Sequence, residues 1–350
     1  MSGWDPAAGP RPPAGPHRPL PGTPAQPPGS VRRTTTTDTI RSAGSLGPAT
    51  AVELRGRDRR LGPGGAVVAE TTVSLRLELD PVSAEITAID GESEDVAGLA
   101  GLVGASVRGG FGRVLVAVLG DELALRTLRA SMLEDLPGAV LVSGYAPLRA
   151  GAIRVAAGGG ASMGDHQGDI CVGWAAGGEM HSVLVESDHV AVPMGPSAPP
   201  LEGLEGGAED GTDTGAWHAD PPLVEGTVRR RRRLDVVPAP DDAGALVTES
   251  HLRDSYRAPD GHSVEEMVLH EYVVRSLVGA DGRFAAIEVD PRTLPWRECV
   301  GGAPSAQALV GVSLGEVAAR ARTELVGPTT CTHLTSTLRA LADVAALRPG

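Results

Sequence analysis

Val31-Arg32-Arg33-Thr34-Thr35-Thr36-Thr37-Asp38 and Val228-Arg229-Arg230-Arg231-Arg232-Arg233-Leu234-Asp235 lie 197 residues apart, and the fold turns on reading them as one stretch written twice. Both open on Val-Arg-Arg and reach an aspartate at the same distance. Outward from them the echo continues. Arg253-Asp254 follows Arg57-Asp58 at an offset of 196, and Leu309-Val310-Gly311 follows Leu102-Val103-Gly104 at 207, as Gly327 follows Gly120. The offset drifts in order along the chain, as insertions in loops would make it. The alternative is coincidence among arginines and glycines, and the ordered series of matches favours duplication over it.

The local patterns agree. In Val67–Leu79, Val73, Leu75, Leu77 and Leu79 share one face and Arg76 and Glu78 the other, the period of a half-buried strand. Asp80-Pro81 turns the chain, and 84–89 returns as a hairpin partner. Helices are predicted over 96–108 and 121–136, the second with Leu125, Leu128, Met132 and Leu136 as its stripe and Pro137-Gly138 as its stop. Strands at 272–277 and 284–289, joined by Gly279-Ala280-Asp281-Gly282, repeat the first hairpin. The expected fold is α+β, a tandem duplication of a sheet-and-helix unit over 31–145 and 228–347.

The remaining segments differ in composition. Residues 1–30 hold ten prolines among Gly, Ala and Ser and are predicted to be a disordered tail. Residues 146–227 form the insert between the copies. There, 169–174 and 181–185 alternate around Gly177-Gly178 as a β-hairpin would, so the insert is expected to be β-rich. An acidic, glycine-rich stretch from Leu201 to Gly215 has the character of a linker. Arg229–Arg233 is expected to alternate along a strand with one solvated face.

Whole-chain composition narrows the function. At 350 residues the chain has room for two domains, and its formal charge of −13 argues against a general nucleic-acid binder. Every basic side chain but histidine is arginine. With no lysine, Schiff-base, P-loop and kinase-type lysine chemistry are excluded. Three cysteines far apart make no disulfide framework, which points to a reducing compartment. No run approaches the roughly 18 apolar residues of a membrane span, and no signal-peptide core begins the chain. A cytoplasmic protein with an unknown protein or small-molecule partner is expected, without nucleic acid or membrane.

Candidate chemistry gathers in the second copy. It contains His251, His262, His270, Cys299, Cys331 and His333, whereas the first copy has neither cysteine nor histidine. In Thr329-Thr330-Cys331-Thr332-His333-Leu334 the cysteine stands at the start of a helix whose apolar residues are Leu334, Leu338, Leu341 and Ala345. Unpaired N–H groups and the helix dipole there favour a thiolate. Cys299 precedes the small residues Gly301-Gly302-Ala303 and a further helix, so both cysteines can converge on the sheet. Cys299, Cys331, His333 and His270 are the expected metal ligands, a donor set suited to zinc or iron. Cys171 is expected to pack beside Trp174. Two other readings stand beside this one. Cys331 is a nucleophile with His333 or His270 as base, or the chain is a non-catalytic ligand- or protein-binding module with structural cysteines.

Cys331-Thr332-His333-Leu334 with Leu294-Pro295-Trp296-Arg297-Glu298-Cys299, His270-Glu271-Tyr272, Asp169-Ile170-Cys171-Val172-Gly173-Trp174, Ala216-Trp217-His218 and Arg253-Asp254-Ser255 resembles a bacterial family known as domain of unknown function 2889. The resemblance covers nearly everything after residue 30 and implies no established activity. Where that family carries Asn-Asp after the Cys-Thr-His-Leu element, this chain has Thr335-Ser336. The second copy is also distantly similar to U-type iron–sulfur cluster scaffold proteins, in the order strand, turn, strand, Cys, helix, helix, Cys-x-x-Leu, helix. That likeness implies an iron–sulfur scaffold role with Cys299 and Cys331 as cluster ligands. The scaffolds' first, glycine-flanked cysteine has no counterpart, and His270 is the nearest substitute.

Overall fold

The computed structural model describes residues 14–41, 48–151, 155, 158–201, 215–259 and 266–349. Eight strands build one antiparallel sheet: β1 (Val31–Ile40), β2 (Ala51–Leu61), β3 (Val67–Leu79), β4 (Ile86–Gly91), β5 (Val228–Pro238), β6 (Leu246–Arg257), β7 (Glu266–Val278) and β8 (Phe284–Thr293). Their order is β4-β3-β2-β1-β5-β6-β7-β8. Two four-stranded meanders therefore meet at β1 and β5, which pair antiparallel with Asp38 opposite Arg229 and Arg32 opposite Asp235. The helices are α1 (Ser93–Val96), α2 (Phe111–Leu125), α3 (Leu128–Val142), α4 (Tyr145–Arg149), α5 (Gly160–Gln167), α6 (Glu179–Ser187), α7 (Val317–Glu324) and α8 (Thr332–Ala340). The class is α+β.

One face of the sheet is apolar toward its ends and carries the helices. Val52, Leu54, Leu75 and Leu77 pack with Phe111 and Leu115 of α2 and Leu128, Met132 and Leu136 of α3. Leu252, Tyr272 and Val274 pack with Val317 and Ala321 of α7 and Leu334 and Leu338 of α8. Period-2 strands and period-3.6 helices thus bury their apolar sides against each other, the largest favourable contribution to such a fold.

The other face is polar and is covered by extended chain. This corrects the expectation of a disordered tail over 1–30. Residues 1–13 lie outside the described residues, but from 14 onward the segment is docked. The Leu20 N–H donates to Glu271 Oε2 at 2.8 Å, Arg253 Nη2 donates to the Leu20 carbonyl at 2.8 Å, and Arg32 Nη1 to the Pro24 carbonyl at 3.0 Å. Proline-rich chain is extended without internal hydrogen bonds. Its carbonyls remain free to accept from buried arginines.

The five arginines do alternate, but neither side is solvated. Arg229 and Arg231 face the polar cover, bonding Asp38 at 2.7 Å and Asp220 at 3.1 Å. Arg230 and Arg232 face the helices, bonding Asp254 at 2.7 Å and Asp135 of α3 at 2.6 Å. All five from Arg229 to Arg233 are buried. The reason is their place in the middle of an eight-stranded sheet covered on both faces, where each guanidinium requires a carboxylate.

Three local expectations also change. The predicted helix over 96–108 is only α1, the 3-10 turn Leu99–Leu102 and loop. The helix over 121–136 is two, separated at Arg126 (φ 55°) with Thr127 capping α3, and α3 runs through Pro137-Gly138 to Val142. The insert is helical rather than β-rich: 169–174 holds the 3-10 turn Val172–Trp174, and 181–185 lies in α6. Gly178 is the N-cap of α6, and Met180 and Leu184, four apart, bury on one side of it. The acidic stretch over 202–214 lies outside the described residues.

Candidate functional site

β6 and β7 set Asp254 directly opposite His270 in their register. Both side chains point to the helix-bearing face, where α8 brings His333 from its first turn. The imidazoles of His270 and His333 stack with centroids 3.5 Å apart and planes 16° from parallel. Asp254 Oδ2 lies 3.4 Å from His270 Nδ1 and 3.8 Å from His333 Nε2. Among the described residues, Asp254, His270 and His333 are the acid and imidazole groups whose donor atoms all fall within 4.8 Å of one another. His270 Nδ1 is buried and has no hydrogen bond of good geometry.

The electrostatics suit lone-pair donation. Burial alone would raise the fully enclosed Asp254 carboxyl, but Arg230, His270 and His333 outweigh it and hold it below the ordinary range. Arg230 grips the carboxylate in a two-pronged contact, Nε to Oδ1 at 2.7 Å and Nη2 to Oδ2 at 3.0 Å. Burial, and then the neighbouring His270, push His333 well below its usual value. An ionised carboxylate thus stands beside an imidazole that resists protonation, and a neutral imidazole offers one nitrogen lone pair to a metal.

Cys331 is the N-cap of α8, with extended backbone and no side-chain cap. Its Sγ lies 3.7 Å from His333 Nδ1, on the side of the ring away from Asp254. Burial raises the Cys331 thiol, partly offset by the Tyr272 hydroxyl and the N–H groups of Leu334 and His333. Cys299 stands in the 3-10 helix Arg297–Leu309, and burial pushes it well up. Gly302 lets that helix close on Cys331: a Cβ there would sit 2.9 Å from the Cys331 nitrogen.

Of the four expected ligands, the structure brings His270 and His333 together with Asp254. Cys331 touches the far nitrogen of His333, and Cys299 lines the same cavity as Cys331. Cys171 is drawn into that cavity beside Trp174, its thiol pushed up to about 11 by burial. The cavity, about 260 Å³, is lined by all three cysteines, both stacked histidines and apolar side chains including Leu148, Trp174 and Trp296. Sequence reasoning missed Asp254 and Arg230 as site residues. The signal was present, since Arg253-Asp254 repeats Arg57-Asp58, and Arg33 holds Asp58 as Arg230 holds Asp254. His262 lies outside the described residues.

Residues 228–347 match the family described as Protein of unknown function (DUF2889). The matched segment comprises β5–β8 and the helices that carry Cys299, Cys331 and His333. No curated protein matches the chain, and no solved structure does, so the likeness to iron–sulfur scaffolds finds no support there. Among the described residues no helix is long and apolar enough to cross a membrane.

Proposed function

We propose that the chain is a metal-binding protein whose ion is held by Asp254, His270 and His333. The observation that carries this reading is the clustering of an ionised carboxylate and two imidazoles, of which His270 Nδ1 is buried 3.4 Å from Asp254 without a well-formed hydrogen bond. Two nitrogens and one oxygen suit zinc or ferrous iron and leave coordination positions open. The stacked rings must tilt for this, because the in-plane lone pairs of two rings 16° from parallel do not meet at one ion. The test is elemental analysis of protein purified without chelator. About one zinc or iron per chain is expected, lost in Asp254→Asn and His270→Ala and kept in Cys171→Ser. A metal-free wild-type protein, or a His270→Ala variant that keeps its metal, would overturn the reading.

A second reading rests on the 3.7 Å approach of Cys331 Sγ to His333 Nδ1, with Asp254 beyond the ring as orienting group. Rapid stoichiometric alkylation of Cys331 in metal-free protein is its expected sign, and burial of the thiol weighs against it.

The two meanders are read as copies of one unit. Arg32 bonds Asp235 while Arg229 bonds Asp38, the same pair made twice across the β1–β5 seam with the partners exchanged. Opposite Asp254 in the second meander stands His270, but opposite Asp58 in the first stands Thr71. The first copy then serves as scaffold, and the second carries the site.

A further inference from the structure

A second cavity, about 470 Å³, lies between the α2–α3 and α7–α8 layers, next to the apolar one. The two share Leu141, Ile170, Thr332 and His333 in their linings. Both have apolar walls, the larger through Phe111, Leu115, Leu325 and Val326, but they differ in charge. The larger is lined by the guanidiniums of Arg108, Arg230, Arg322 and Arg339 against the carboxylates of Glu134 and Asp135, with hydroxyls from Thr335 and Ser336.

The carboxylates there are already shared. Glu134 alone accepts from Arg126 at 2.8 Å, Arg322 at 2.9 Å and Arg339 at 3.0 Å. Asp135 serves Arg230 and Arg232. Arg339 Nε is buried with no acceptor. Burial, and then repulsion from Arg339, lower Arg322 against the pull of Glu134, with Arg126 adding to the repulsion. Such a cleft favours an anionic group with oxygens for more than one guanidinium. The adjoining cavity, walled by Leu148, Trp174 and Trp296, favours apolar matter and has room for roughly eight heavy atoms at about 30 Å³ each.

We infer that the two neighbouring cavities bind an amphipathic organic anion, its charged head beside Arg322 and Arg339 and its apolar body in the cysteine-lined cavity. His333, common to both linings, then lies against the middle of the ligand. This goes beyond the metal reading and holds with or without the ion, because neither the arginines nor the apolar walls depend on it.

The test uses octanoate and its uncharged counterpart 1-octanol, with the full chain. Binding is read by calorimetry and by the fluorescence of Trp174 and Trp296. Octanoate is expected to bind about tenfold more tightly than octanol. Arg322→Met should weaken octanoate by about that factor and leave octanol unchanged, whereas Leu148→Trp, which fills the cavity, should abolish both. Arg322 is half exposed, so its replacement leaves the fold intact. Titrations on chelator-stripped and zinc-loaded protein, each with measured metal content, separate this inference from the metal reading. Octanoate binding in stripped protein supports the inference whether or not zinc is taken up. Equal affinity for octanoate and octanol, no binding of either, or an Arg322→Met variant with unchanged octanoate affinity would overturn it.

Discussion

At the scale of single residues, the buried charges impose a pH dependence away from the candidate site. His251 on the polar face is held below its usual value by burial, against the pull of Glu271 and with Arg253 and Arg233 adding repulsion. Its Nε2 lies 2.8 Å from Glu271 Oε1, which also accepts from Arg253 Nε at 2.6 Å, while the Leu20 N–H holds the other oxygen. The folded protein therefore keeps this imidazole neutral where the unfolded chain would take up a proton. Stability is intact above the unfolded value near 6.5 and falls as pH drops below it, by at most about 1.4 kcal/mol per pH unit for one group. His333 contributes with the same sign. Denaturation midpoints from pH 7.5 to 5 should fall, and His251→Gln should flatten part of that slope. An unchanged slope in the variant would show that His251 is charged in the fold.

At the scale of elements, α3 passes through Pro137-Gly138 because a side chain from the sheet needs the space. A Cβ at Gly138 would lie 2.4 Å from Arg230 Nη1, and Arg230 cannot retreat without releasing Asp254. Alanine is normally worth about 1 kcal/mol over glycine within a helix. Gly138→Ala is nevertheless expected to cost about 1–3 kcal/mol, as overpacking does, and to weaken metal retention through Asp254. A variant more stable than wild type in urea titration would refute this account. The proline-rich segment acts in the same way on the other face. Deleting residues 1–24 removes acceptors from Arg253 and Arg32 and the donor to Glu271, so Tm should fall by roughly 5 °C or more. An unchanged Tm would mean that water replaces those contacts without loss.

At the scale of the whole molecule, the sheet has no seam between halves other than the β1–β5 pair. Residues 223–349 expressed alone would expose the β5 edge with its arginines. Two such fragments pairing antiparallel in the register that β1 now uses would set Arg229 opposite Asp235 of the second copy, twice over. The fragment is therefore expected to be a dimer in light scattering, and Asp235→Asn should dissociate it. A stable, monodisperse monomer would count against two copies of one unit.

The amino-acid sequence by itself determined the hairpins β3–β4 and β7–β8, the strand through Arg229–Arg233 and the helix start at Cys331. These follow from periods of two and 3.6 and from turn residues, all of which are local. It also pointed to His270 and His333, because residues 228–347 hold four histidines and two cysteines where residues 31–145 hold none. What only the tertiary structure decided depends on what covers each surface. Nothing within Arg229–Arg233 says that both of its faces are buried, and nothing within residues 14–30 says that their carbonyls meet arginines from distant strands. The β-like alternation over 181–185 gave way to a helix that buries Met180 and Leu184 on one side, Met180 within the core of the second meander. Asp254 entered the site for the same reason. A carboxylate in a strand is ordinary until the fold buries it under Arg230 and two imidazoles, where its charge must be matched.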